Sequence, residues 1–170
     1  CPVAMISYWE LEEDGSEGYF DERRYSNTGV CAGTCPTVNV EGMVGNGQDF
    51  EDSDGIIVPA SNVYNWGASD SFTIELWMKR TAGISSREIL IGRDDTTTAL
   101  RWYIEIDSSG RAVFFLRSTN GTSRTLVGTK RLDNDVWHHI VAVRDSANNV
   151  NRLYVDGQEE AALAVAFTAG

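Results

Sequence analysis

The chain has 170 residues, 42% hydrophobic and 10% aromatic, enough for a real core in a single domain spanning 1–170. Its 25 acidic and 14 basic residues give a formal net charge of −11, which repels nucleic acid and anionic membrane. No run of about 18 apolar residues offers a transmembrane helix, no targeting segment is visible, and the absence of an initiator Met reads as a mature or excised fragment.

Short runs of alternating apolar residues follow one another, separated by turn residues about every 8–12 positions. No segment sustains a helical period. Met5 to Glu10 reads as a first strand, and Leu11 to Thr28 as a polar loop holding Asp14-Gly15 and Ser26-Asn27. Cys31 and Cys35 bracket a loop-like Ala-Gly-Thr, and Cys1 stands at the start of the first strand. The odd count leaves one thiol over; a single disulfide from Cys1 to Cys31 or Cys35 is expected, which points to an oxidising compartment. Zinc would need four ligands, with only His138 and His139 to join from afar. A processed lipoprotein would also begin with Cys, but Ala4-Met5-Ile6 looks like a strand with no spacer before it.

Gly42 to Phe50 is strand-like, and Gly55 to Val58 is a short strand stopped by Pro59. Ser71 to Lys79 is the clearest strand: Phe72, Ile74, Leu76 and Met78 share one face, and Thr73, Glu75, Trp77 and Lys79 the other. Glu88 to Gly92 is a compact apolar strand. Leu100 to Asp107 alternates again, with Leu100, Trp102, Ile104 and Ile106 on one side. Ser108-Ser109-Gly110 turns the chain into Arg111 to Arg117. Asn120-Gly121 is a hairpin signal and Thr125 to Gly128 follows it. Val136 to Arg144 is apolar on both faces, as a central strand would be. Arg152 to Val155 meets Asp156-Gly157, another hairpin signal, and Gln158 to Ala162 returns. The tail from Leu163 to Gly170 is apolar.

With the strands placed, five blocks stand out in order. They are Ile6-Ser7-Tyr8-Trp9-Glu10-Leu11; Gly45-Asn46-Gly47-Gln48-Asp49-Phe50 with Gly55-Ile56-Ile57-Val58-Pro59; Ser71 to Lys79; Trp137-His138-His139-Ile140-Val141-Ala142-Val143; and Leu153-Tyr154-Val155-Asp156-Gly157. Over nearly its whole length the chain resembles the laminin-G/pentraxin-like domains of the concanavalin A-like lectin/glucanase superfamily. The resemblance implies an all-β fold, an antiparallel two-sheet jelly-roll sandwich, with binding at loop rims or on a curved sheet face. It also implies a last strand, beyond Gly170, that pairs beside the first. The expectation is therefore that this strand is missing here, and that Ile6 to Trp9 lacks a neighbour unless flanking sequence or another copy supplies one.

Glycoside hydrolases of this broad fold can carry three carboxylates on one strand. Glu105 and Asp107 share a strand face, but the third position is Arg111, so no catalytic set is expected. His138 and His139 point to opposite faces of a strand and cannot easily share one ion. Calcium is the most plausible cofactor, through Asp49, Asp52 and Asp54 in a loop beside a strand. Asp21 with Asn27, and Asp94-Asp95, are further groups. Pentraxin-style ligands are not present, because Ser86-Arg87 precedes Glu88-Ile89-Leu90. Tyr64, Trp66, Trp77 and Tyr103 are candidate aromatic platforms for a sugar ring. Asn120-Gly121-Thr122 is a glycosylation sequon at a hairpin tip.

These features point to a non-catalytic, extracellular or cell-surface recognition module that binds glycan or protein. The alternative is a structural module that assembles a filament, coat or stalk with other copies through edge strands.

Overall fold

In a computed structural model, residues 4–15, 19–20, 27–51, 53–83 and 85–169 are described. The chain divides into two compact units, Cys1–Val63 and Tyr64–Gly170.

The first unit contains β1 (Tyr19–Phe20), β2 (Gly29–Cys31), β3 (Thr37–Glu41), β4 (Asn46–Asp49) and β5 (Ile56–Ile57). β2 sits between β1 and β5 in one antiparallel sheet, and β3 pairs with β4. The stretch expected as one strand from Gly42 to Phe50 is broken at its glycines. Gly42 N–H donates to Gly45 C=O at 3.1 Å, Gly45 takes a φ of 63°, and β4 starts only at Asn46. Met5 to Glu10 is not a strand either; it makes only an isolated bridge at Trp9. Loop contacts hold it instead: the Trp9 indole N–H donates to Asn27 C=O at 3.1 Å, and the Asn27 amide to Ser7 Oγ at 3.3 Å.

The expected disulfide is corrected. Cys31 bonds to Cys35, with Cα atoms 5.1 Å apart, so neither is available to Cys1, which lies outside the described residues. Gly33 between them, at φ 88°, reverses the chain so that both sulfurs meet.

The second unit carries two four-stranded antiparallel sheets. β6 (Phe72–Lys79) starts one. The chain then crosses to a meander of β7 (Glu88–Asp94), β8 (Arg101–Ile106), β9 (Arg111–Arg117) and β10 (Ser123–Arg131). It returns through β11 (Trp137–Asp145), β12 (Val150–Val155) and β13 (Gln158–Ala164). β11 inserts between β6 and β12, as its apolar sequence predicted. Met78, Ile140, Ala142, Leu153 and Val155 from the first sheet pack on Ile104, Ile106, Phe114, Leu116 and Leu126 from the second. Phe72, Ile74 and Leu76 join the same core, so the two-residue alternation of β6 does face its apolar side inward. This is the expected all-β, two-sheet jelly-roll sandwich. Asp156 (φ 50°) and Gly157 (φ 77°) are both left-handed, the backbone that a two-residue hairpin between twisted strands demands.

Two polar side chains, Arg144 and Asp156, each gather several hydrogen bonds in this sandwich. Arg144 is fully buried opposite Asn151. Its guanidinium donates to Val165 C=O (3.0 Å), Asn151 Oδ1 (3.3 Å) and Ala68 C=O (3.4 Å), and lies 5.0 Å from the Phe167 ring centroid. It thereby pins the apolar tail, whose Val165 and Phe167 are buried.

At Asp156, burial pushes the carboxyl pKa up. Hydrogen bonds from Lys130 (2.6 Å), His138 (2.8 Å) and the His139 N–H (2.9 Å) overcome it and hold the group far below the usual carboxylate range. A pKa depressed in the folded state contributes stability above the unfolded value of about 4, and that contribution fades as pH falls toward the folded value. Asp156→Asn is therefore expected to lower the melting temperature at pH 7. The gap to the native chain should close as the pH is taken below about 4. A gap in thermal melts that stays constant from pH 7 to pH 3 would contradict this reading.

Candidate binding face

Alternation on β6 leaves Thr73, Glu75, Trp77 and Lys79 on the outside of its sheet. The register with β11 sets Lys79 opposite Trp137, Trp77 opposite His139, Glu75 opposite Val141 and Thr73 opposite Val143. On β12, Tyr154 continues the Val141 row and Arg152 the Val143 row. The result is an aromatic strip bordered by charge.

Trp77 is 46% exposed, unusual for so large a ring, and stacks on His139 with centroids 4.8 Å apart and planes 28° apart. Lys79 Nζ lies 5.4 Å from the Trp137 ring centroid. Glu75 reaches His139 Nε2 at 3.8 Å. Tyr154 donates its hydroxyl to Glu159 at 3.1 Å, and burial together with that carboxylate pushes its pKa up, so the phenol stays protonated. Arg152 spans Asp145 (3.3 Å) and Glu159 (3.4 Å). An exposed indole next to hydroxyl, carboxylate and cationic groups can stack on an apolar sugar face while its neighbours hydrogen-bond the rim.

The other aromatic candidates lie elsewhere. Trp66 is 4% exposed, edge-on to Phe167 at 4.9 Å and 6.3 Å from Phe72; it is a core ring out of a ligand's reach. Tyr64 is half-buried against the core, and its carbonyl accepts the Trp102 indole N–H at 3.2 Å. Tyr103 lies on the outer face of the other sheet. It stacks on Phe115 (4.7 Å, 9°), with the Arg87 guanidinium 5.2 Å from its centroid. The structure therefore does not bring the four together. His139 and Trp137, absent from the aromatic candidates of the sequence, join Trp77 through the register of Trp137-His138-His139 against β6.

The carboxylates singled out in the sequence are mostly committed. Glu105 pairs with Arg87, and Asp107 with Arg111 (2.8 Å) and the N–H groups of Ser109 and Arg111. Asp94 pairs with Arg101 at 2.5 Å, and Asp95 accepts the N–H of Thr97 at 2.9 Å. The Thr34 hydroxyl and the Glu51 N–H hold Asp54 below its ordinary pKa. Asp49 is exposed on β4; Asp52 and Asp21 lie outside the described residues. Among the described residues, no three His, Cys, Asp or Glu side chains gather as a cation site. The sequon residue Asn120 is exposed at its hairpin, but its amide donates to Thr168 Oγ1 at 3.1 Å.

Residues 50–169 match the laminin-G family of the concanavalin A-like lectin/glucanases superfamily. The chain belongs to that family. Among solved structures it is similar to the binding domain of paraclostridial mosquitocidal protein 1, with a TM-score of 0.70, 15% identity, and coverage of 94% of this chain and 40% of that one. The botulinum neurotoxin serotype G binding domain gives a TM-score of 0.61, 13% identity, and coverage of 86% and 37%. Domains LG4-5 of the mouse laminin alpha1 chain give 0.50, 16%, and coverage of 59% and 25%. The chain thus spans less than half of each of these longer chains, and the likeness at such identity is one of fold. No curated protein sequence matches it. No described helix is long and apolar enough to cross a membrane.

Proposed function

We propose that this chain is a non-catalytic recognition module of a larger surface or secreted protein, binding a glycan on the outer face of β6, β11 and β12. The observation that carries this reading is Trp77, a large ring held out of the core by strand alternation and backed by His139. The family membership and the binding domains among its structural neighbours support a binding role over catalysis.

The test is a glycan array probed with and without a calcium chelator. Binding that survives chelation supports recognition through the aromatic strip alone. Loss on chelation would bring in calcium, through Asp49, Asp52 and Asp54. Silence in both conditions overturns glycan binding. It would favour assembly instead, because β6 is the last strand of its sheet among the described residues. Light scattering would then read the concentration dependence of the particle mass.

A further inference from the structure

The outer face of β7–β10, on the far side of the sandwich from Trp77, holds an arrangement that the proposed function leaves unexplained. Arg117 projects from this face of β9 directly opposite Arg101 of β8. Like charges facing each other across strands are unfavourable. Arg101 is relieved by Asp94 at 2.5 Å. Arg117 is not: it is half-buried, its Nε is shut off from solvent, and no described residue accepts a hydrogen bond from its guanidinium. The other arginines of this face, Arg87, Arg111 and Arg131, each have a carboxylate partner. A half-buried charge left without an acceptor calls for an explanation.

Its surroundings indicate what would supply the acceptor. The register places Ser123 beside Arg117, and in the next row Thr125 beside Phe115 beside Tyr103. Ser123 and Thr125 are exposed, so two hydroxyls border the guanidinium and the stacked rings. Gly92 ends that row on β7, where a side chain would clash with Tyr103, its Cβ only 2.8 Å from the Tyr103 Cβ, so the two strands lie close together there.

We propose that this face is a second binding site, independent of Trp77, for a carboxylate-bearing saccharide whose carboxylate seats on Arg117 and Arg101. Planar guanidinium groups hold a carboxylate with paired hydrogen bonds. Phe115 and the hydroxyls of Ser123 and Thr125 take the sugar ring. The net charge of −11 opposes approach of a polyanion, so a single negative group suits the site better than a densely sulfated chain.

The experiment titrates the chain with glucuronate-terminated oligosaccharides, using the matching glucose-terminated ones as neutral controls. The glucuronate probe should bind more tightly than its neutral match, and more weakly as salt rises. Arg117→Gln should weaken it about tenfold or more, with a melting temperature equal to or above that of the native chain. Trp77→Ala should leave this binding intact, which separates failure of this site from failure of the Trp77 face. Amide shifts of the native chain on adding the probe should centre on residues 101, 117 and 123. Equal affinity for the two probes, unchanged glucuronate affinity in Arg117→Gln, or shifts centred elsewhere would overturn the proposal.

Discussion

Trp66→Ala is expected to destabilise the unit Tyr64–Gly170 by about 3–5 kcal/mol, the range for deleting a large buried aromatic. The ring is almost wholly enclosed, edge-on to Phe167 and tilted against Phe72. Phe167 in turn lies under the Arg144 guanidinium, so the cavity opens where the tail is pinned. Denaturant melts followed by tryptophan fluorescence would read the loss. Trp66→Phe should cost less, because it keeps most of the ring and removes an indole N–H that has no acceptor among the described residues. A Trp66→Ala melt indistinguishable from the native one would mean that this ring is not core.

Trp77→Ala should do the reverse. The side chain stands outside the sandwich, so stability should move by only about 0.5 kcal/mol. Affinity for the glycan found on the array should fall about 30-fold or more, as when a central aromatic anchor is truncated. Trp77→Phe should recover part of it, since a smaller ring still offers a stacking face. Calorimetric titration of the three proteins would decide. If Trp77→Ala binds as tightly as the native chain, the aromatic strip is not the site.

These two tryptophans show how far the sequence reaches. Alternation placed Trp77 on the polar side of a strand whose other face is Phe72, Ile74, Leu76 and Met78, and this is where it lies. Trp66 sits in a Gly- and Asn-rich loop with no period, so nothing local distinguishes a surface ring from one folded into the core. Its fate depends on Phe167, a hundred residues later.

The sequence by itself determined the class of fold. A two-residue period writes burial directly into residue order, and turn residues such as Asp156-Gly157 set where strands reverse. The tertiary structure alone decided what depends on which strands become neighbours. It joined Cys31 to Cys35, because only the folded backbone fixes which sulfurs come within bonding reach. It put His139 against Trp77 and Arg117 against Arg101, because pairing between strands is a long-range choice. It also buried Arg144 without a carboxylate, since the guanidinium donates to Asn151 Oδ1 and to the backbone carbonyls of Val165 and Ala68, and a carbonyl leaves no trace in the sequence.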